Sequence, residues 1–213
     1  NLTVHLPGEF NAVNALGALA CARAVGVDPA TAVAGITACG GVPGRMERII
    51  DPRGTAGVVA LVDYAHTPDA VERAIEAVRA GTDGCVVTVL GAGGDRDRAK
   101  RPLMGSAAAR LADVVIVTDD NPRSEPAESI RASILEGARS SGSAEIHEVG
   151  DREAAIDLAV ELALPGDVVL VLGKGHEQGQ EVDGNISAFD DRVVLARALA
   201  RAGARTKGGE EDL

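Results

Sequence analysis

Three short runs, Val86–Leu90, Val114–Thr118 and Val168–Leu172, are rich in valine and almost continuously apolar. A strand that shows one face to water alternates polar and apolar residues; a run apolar on both faces is buried on both. The runs are too short for ordinary helices and are separated by segments with helical spacing. Together they constrain the fold to a mostly parallel sheet with helices on both faces, an α/β Rossmann-like architecture.

The other elements fall around this frame. Met46–Ile50 and Val58–Asp63 read as strands separated by the turn-rich Asp51-Pro52-Arg53-Gly54, and Glu145–Val149 reads as a weaker strand. Helices are expected over Thr67–Ala80, Arg98–Leu111, Ala127–Ala138, Arg152–Leu162 and Ala188–Ala202. Thr67 is the expected N-cap of the first, with Pro68 next to it and an acidic first turn. Ahead of the sheet, Asn11–Val25 has helical spacing after the Pro7-Gly8 turn, and Asp28 with Pro29 starts a short second helix to Thr37. Gly40, Gly41, Pro43 and Gly44 form a breaker cluster and the expected domain boundary. The division is therefore 1–43, 44–205 and a polar tail, 206–213, expected to fray with its flanking residues.

Composition narrows the core and the partners. Phe10, Tyr64 and Phe189 are the only aromatic residues, so Ala, Val, Leu and Ile must build the interior. A net charge of −11 argues against nucleic acid, which needs surplus Lys and Arg. Cys21, Cys39 and Cys85 are odd in number, with no C-x-x-C; reduced, buried thiols in a cytoplasmic protein are expected. No membrane insertion is expected, no signal peptide is visible, and a monomer is expected. The chain begins with Asn1 rather than Met, as an excerpt of a longer protein would.

In a parallel sheet, ligands bind beyond the carboxyl ends of the strands. Four such places carry unusual sequence. Asp63-Tyr64-Ala65-His66-Thr67 joins a carboxylate, an imidazole and a helix N-terminus, a set suited to a ribose hydroxyl and a phosphate; a cap beside a half-buried His competes with it. Gly91-Ala92-Gly93-Gly94-Asp95-Arg96-Asp97-Arg98 offers close backbone approach and guanidinium forks for an anion, although the two aspartates can simply pair with the arginines. Its resemblance to a dinucleotide fingerprint is weak, because Arg96 stands where a third glycine would. Asp119-Asp120-Asn121-Pro122-Arg123 mixes carboxylates, an amide and a guanidinium, as an amino-acid ligand would require; an ordinary surface turn is the alternative. Gly173-Lys174-Gly175-His176-Glu177 is neither a Walker loop nor a zinc helix; Glu177 can accept from an ammonium, or the segment can be a plain glycine-rich turn. Outside the loops, Asn11 and Asn14 lie one helical turn apart, able to read an adenine edge or merely polar. Arg45 sits at the hinge, where an ion pair with Glu47 is the competing explanation.

Taken together, HLPGEFNAVNALGALA, GVPGRMERI, DYAHTPDA, GAGGDRDRAKRPLMG, TDDNPRSEP and GKGHEQGQ resemble the Mur ligase family, and within it the ligases that add diaminopimelate. The segments run from His5 to Gln180. The resemblance implies an ATP- and Mg2+-dependent enzyme of peptidoglycan synthesis, in which a carboxylate of UDP-MurNAc-dipeptide is phosphorylated and the amine of diaminopimelate attacks the acyl phosphate. It implies Asn11, Asn14, Arg45 and Asp63 on the ATP side, with His66 as a catalytic candidate beside the phosphates. It implies Arg96, Asp120, Asn121, Pro122, Arg123, Gly173 and Glu177 around diaminopimelate. The far carboxylate that distinguishes this amino acid from lysine suits Arg123, supplemented by Arg96, while Glu177 and Asn121 suit the ammonium. The family's phosphate loop, modified lysine, magnesium ligands and UDP-binding domain have no counterpart between Asn1 and Leu213. Residues 1–43 then correspond to the end of the central ATPase domain, and the chain alone is expected to fold but not to catalyse. Two other readings remain: a nicotinamide-dependent oxidoreductase built on the same sheet, and a non-catalytic amino-acid-binding module.

Overall fold

A computed structural model describes residues 2–50 and 57–208. The expected Asp51–Gly54 turn lies outside the described residues. Two helices come first, α1 (Glu9–Ala24) and α2 (Pro29–Thr37). Asp28 caps α2 by accepting from Thr31 N at 3.0 Å, with Pro29 in the first turn, where a missing N–H costs nothing.

The main sheet follows. Strands β1 (Glu47–Ile49), β2 (Val59–Asp63), β3 (Val86–Leu90), β4 (Val114–Val117), β5 (Glu145–Glu148) and β6 (Val168–Leu172) stand in the order β1-β2-β6-β3-β4-β5. All neighbours are parallel except β1, which runs antiparallel to β2 with Glu47 opposite Val62. The order places β6, last of the six in the chain, between β2 and β3. Its carboxyl-end loop therefore sits between the other two.

Side chains alternate across the sheet with the two-residue period of a strand. Leu61, Leu90, Val115, Val117 and Leu170 pack under α3 (Pro68–Arg79), α4 (Lys100–Leu111) and α5 (Ala127–Ser140). Val62, Val87, Val89, Ile116 and Val171 face α6 (Arg152–Leu162) and α7 (Asp191–Gly208). Both faces are thus covered, and continuous apolar strands follow from that. Thr67 caps α3 by accepting from Ala70 N, as its position predicts.

The structure departs from the sequence expectations in four places. Helix α4 starts at Lys100, because Asp97 Oδ1 accepts from Ala99 N at 2.9 Å and holds 97–99 in a local turn. Ala188 is not helical: it closes a hairpin of β7 (Gly179–Val182) and β8 (Asn185–Ala188) that the reading missed. The hairpin turns on Asp183 and Gly184, at φ +48° and +74°, the left-handed pair that a tight Asp-Gly turn requires. Asp190 then accepts from Arg192 N at 3.0 Å at the entry to α7, which runs on to Gly208, past the point where fraying is expected. Residues 209–213 lie outside the described residues. Finally, all three cysteines are exposed, not buried. Cys21 lies on α1, of which only Asn11 and Ala15 are buried, and Cys85 precedes β3 at the rim of the sheet. Among the described residues no helix is long and apolar enough to cross a membrane.

Candidate functional site

The carboxyl ends of β2, β6, β3 and β4 lie side by side because the four strands are parallel and adjacent. All four loops singled out above therefore meet along one edge. They divide into two connected regions.

The first is a cavity of about 740 Å3 between α1, the hinge and the β2–α3 loop, lined by Phe10, Asn11, Asn14, Arg45, Asp63 and His66 among others. The predicted nucleotide-side residues are all present, but in unequal states. Asn14 is exposed, whereas Asn11 is buried and its Nδ2 donates to Pro7 O at 2.7 Å, leaving Oδ1 as the amide's acceptor. Asp63 is buried, and both its oxygens accept backbone amides at 2.8 Å, Oδ2 from Met46 N and Oδ1 from Ala65 N. It ties the hinge to the sheet. Burial pushes its carboxyl above the usual aspartate value, and the two amides, Arg45 and His66 oppose that shift. Glu47 does not take Arg45: its carboxylate accepts from Gly44 N at 2.6 Å and faces Arg192 at 3.7 Å. The Arg45 guanidinium lies 4.7 Å from the centroid of the Tyr64 ring, a cation–π distance. His66 is exposed, and its Nδ1 sits 2.8 Å from the Tyr64 carbonyl, which can only accept, so Nδ1 carries a proton and Nε2 is left outside this contact.

The second region is built from the β3, β4 and β6 loops. Asn121, buried at the end of β4, donates from Nδ2 to Glu177 Oε2 at 2.9 Å. Its main chain also joins the loops, since Gly94 N donates to Asn121 O at 2.8 Å. Gly173 has φ +115°, and a Cβ there would lie 2.6 Å from Asp120 Oδ2, so only glycine lets β6 end beside that carboxylate. Arg123, at φ +54°, donates from Nη1 to Gly94 O at 2.7 Å, and its Nε faces Glu181 Oε2 at 3.3 Å. A guanidinium has five N–H donors, so these two contacts leave three for a bound anion. Arg96 is exposed on the same loop, and a Cβ built at Gly93 would sit 2.9 Å from Arg123 Nη1 and 3.9 Å from Arg96 Cγ. The Arg123 guanidinium and the stem of Arg96 thus lie beside Gly93. Arg96 Nη1 donates to Asp95 O at 3.0 Å, but neither aspartate carboxylate pairs with these arginines: Asp95 accepts from Ser124 N and Oγ, and Asp97 from Ala99 N.

Several residues of this edge escaped the sequence reading. Lys174 is fully buried beside Asp120, Asn121 and Glu177. Glu181, on the missed hairpin, supplies the counter-charge of Arg123. Arg101 holds Glu125 beneath the Gly93 loop, and Arg152 holds Asp191 beneath the ends of β4 and β6. The Asp183-Gly184 pair was the available signal for the hairpin. A lysine among glycines carries no such signal.

The two regions touch. A Cβ at Gly44, φ +68°, would lie 2.1 Å from His176 N, so the hinge packs directly on the β6 loop. Tyr64 bridges them, with ring centroids 4.7 Å from His66 and 5.7 Å from His176. Among the described residues no three His, Cys, Asp or Glu side chains gather as a metal site. The glycine loop does not feed straight into a helix as a dinucleotide turn does, since α4 begins only at Lys100.

The chain is 50% identical over 199 residues to the UDP-N-acetylmuramoyl-L-alanyl-D-glutamate–2,6-diaminopimelate ligase of Caulobacter vibrioides, covering 93% of this chain and 40% of the relative. It is 49% identical over 199 residues to the ligase of the same name from Streptomyces coelicolor, covering 92% and 39%. A solved structure of a ligase of that name superimposes with a TM-score of 0.71 at 40% identity, over 94% of this chain and 40% of that one. The UDP-N-acetylmuramate-alanine ligase of Thermotoga maritima shares the fold, at TM-score 0.64 and 20% identity, over 98% of this chain and 40% of that one. The chain thus spans about 40% of the length of the relatives it matches. The profile of the Mur ligase glutamate ligase domain matches residues 44–175, and the chain belongs to the Mur ligase family.

Proposed function

We propose that this chain is the C-terminal part of an ATP-dependent ligase that joins diaminopimelate to UDP-MurNAc-L-Ala-D-Glu in peptidoglycan synthesis, in the cytoplasm. The observation that carries the reading is the polarity of the second region. It gathers cationic groups, Arg123 with the stem of Arg96 beside Gly93, and an acceptor, Glu177 hydrogen-bonded to Asn121. A ligand that pairs both needs a carboxylate and an ammonium on one molecule; diaminopimelate carries such a pair at each of its two ends, whereas the far end of lysine is an ammonium alone.

The chain's own residues would act chiefly by positioning. Arg123, with Arg96, takes the distal carboxylate bidentately; Asn121 and Glu177 fix an ammonium through charge-assisted hydrogen bonds. Asp120, Pro122 and Gly173 shape the turn between them. Lysine, lacking the far carboxylate, would leave a half-buried guanidinium without its ligand. In the first region, Asn14 and the free Oδ1 of Asn11 present amide groups to an adenine, Arg45 lies over Tyr64, and His66 Nε2 faces the phosphate side. Asp63 holds the Met46 and Ala65 amides in place. These residues fit a nucleotide, and ATP would supply the phosphoryl group that activates the peptide carboxylate. The magnesium ligands and the UDP-binding surface are proposed to belong to the remainder of a full-length protein.

The test is amide formation by the full-length ligase with purified UDP-MurNAc-L-Ala-D-Glu, ATP and either diaminopimelate or lysine. A preference for diaminopimelate on the order of 10⁴ in kcat/KM is expected for a site built around the missing group. Comparable use of lysine would overturn the substrate assignment, and failure with both amines would overturn the function.

A further inference from the structure

Lys174 is the first charged residue after β6, and none of its side chain reaches solvent. A buried ammonium persists only when it is paired and hydrogen-bonded. Its Nζ donates to Asn121 Oδ1 at 3.0 Å and lies 3.5 Å from Glu177 Oε2 and 3.7 Å from Asp120 Oδ1. The same Asn121 oxygen accepts from Glu181 N at 3.0 Å.

Two donors aimed at one end of the Asn121 side chain determine which end is the oxygen. With the NH2 group turned toward Lys174 and Glu181 N, three sets of N–H groups would oppose each other, so that orientation is excluded. The NH2 group consequently faces Glu177, and the observed 2.9 Å hydrogen bond to Oε2 follows. That bond and the nearby ammonium both engage Oε2, leaving Oε1 of Glu177 and the second Nδ2 hydrogen of Asn121 outside these contacts.

We infer that Lys174 is a positioning residue for amino-acid selection: it sets the orientation of the Asn121 amide and the placement of the Glu177 carboxylate without touching the ligand. The inference rests on the reading that these two residues hold the ammonium of the amino-acid substrate.

The test uses the full-length ligase. Wild-type protein assayed with diaminopimelate and with lysine first fixes which amine is the substrate, and the variants are read against that amine. Lys174→Met is expected to raise its KM by roughly tenfold to a hundredfold, the scale of one lost hydrogen bond to a charged group, with the KM for ATP changed less than about twofold. Glu177→Gln should raise the same constant, and adding Lys174→Met to it should cost little more, because both substitutions disrupt the same hydrogen-bonded Asn121–Glu177 pair. Thermal unfolding checks that each variant is folded. If Lys174→Met does not fold, Lys174→Gln, which keeps a neutral donor toward Asn121 but removes the ammonium beside Glu177, takes its place in the same cycle; a smaller rise in the amine KM is expected, again not additive with Glu177→Gln. Equal rises in both KM values, or additive effects of the two substitutions, would overturn the positioning role while leaving the proposed function standing. A wild-type enzyme that takes neither amine would overturn the function and this inference with it.

Discussion

Arg152 and Asp191 are both fully buried and meet through two hydrogen bonds, Nε to Oδ1 at 2.8 Å and Nη2 to Oδ2 at 2.7 Å. The same guanidinium donates to Leu172 O at 2.9 Å and Asp119 O at 3.3 Å, so it fastens the carboxyl ends of β6 and β4 to the start of α7. Removing one partner strands the other charge in the interior. Arg152→Met is expected to lower stability by about 3–5 kcal/mol in urea unfolding, whereas Arg152→Met with Asp191→Leu recovers most of that loss. A double variant as unstable as the single one would show that the backbone contacts, not the ion pair, dominate.

Glu125 gives the molecule an acid limb of opposite sense to that of Asp63. Arg101 forks onto Glu125, Nη1 to Oε2 at 3.0 Å and Nη2 to Oε1 at 2.8 Å, and with the Asp95 amide holds its carboxyl down to about 2. A depressed carboxylate stabilises the fold above its unfolded value, roughly 4.3, and that contribution is lost as pH falls toward the folded value. Asp63 is raised instead, so its contribution is present at low pH and is lost as pH climbs through its folded value. Urea unfolding followed across the acid range should show stability falling below about pH 4. Glu125→Gln should flatten that slope, and a side-chain NMR titration of Glu125 with an ordinary midpoint would contradict the account.

Much of this organisation was legible, for identifiable reasons. Val86–Leu90 and Val168–Leu172 are strands because both of their faces are buried, and composition reports that directly. The Asp28 and Thr67 caps are local chemistry and fall where they were expected. The insertion of β6 between β2 and β3 is long-range packing, which no local pattern encodes. Burial of Lys174 is equally non-local: it needs Asp120 and Asn121 from another strand end to neutralise it. Asp63 illustrates a middle case. Its position at a strand end was visible, but its commitment to Met46 N and Ala65 N was not, because that depends on the path of the hinge.

Gly44 is where the two regions are mechanically joined. Alanine there would need φ near +68° and would drive its Cβ to 2.1 Å from His176 N and 2.3 Å from Gly175 C. The conformational cost alone is of order 1–3 kcal/mol, and the backbone collision adds to it. Gly44→Ala in the full-length ligase is expected to lower the unfolding temperature and to raise KM for both ATP and the amino acid. Gly40→Ala meets nothing within 4 Å and should leave stability nearly unchanged. Equal tolerance of the two substitutions would remove the case for Gly44 as the point that joins the two regions.

If Asn14 and Asn11 both face an adenine, as proposed, their different burial separates nucleotide binding from folding. Asn14 is exposed in the first cavity, so Asn14→Ala should raise KM for ATP severalfold while the unfolding midpoint stays put. Asn11 also donates to Pro7 O at 2.7 Å and is buried, so Asn11→Ala should weaken ATP use and lower stability by about 1 kcal/mol. Isothermal titration with a non-hydrolysable ATP analogue and urea unfolding read the two effects independently. An Asn14→Ala protein with unaltered nucleotide affinity would place the adenine elsewhere.

In the proposed function Arg123 bears most directly on amino-acid choice, and Glu181 is its counter-ion. In the structure Glu181 Oε2 stands 3.3 Å from Arg123 Nε, on the hairpin that β7 and β8 form. A ligand carboxylate must therefore share the guanidinium with Glu181 or take its remaining donors. Arg123→Ala in the full-length ligase should raise KM for diaminopimelate by at least about a hundredfold, the scale of a bidentate charged contact, with ATP little affected. Glu181→Gln should act the other way: freeing the guanidinium from a competing charge lowers KM for diaminopimelate modestly and leaves lysine unchanged. Steady-state kinetics with both amines decides the matter. If Glu181→Gln weakens diaminopimelate as much as Arg123→Ala does, Glu181 aligns Arg123 rather than competing for it.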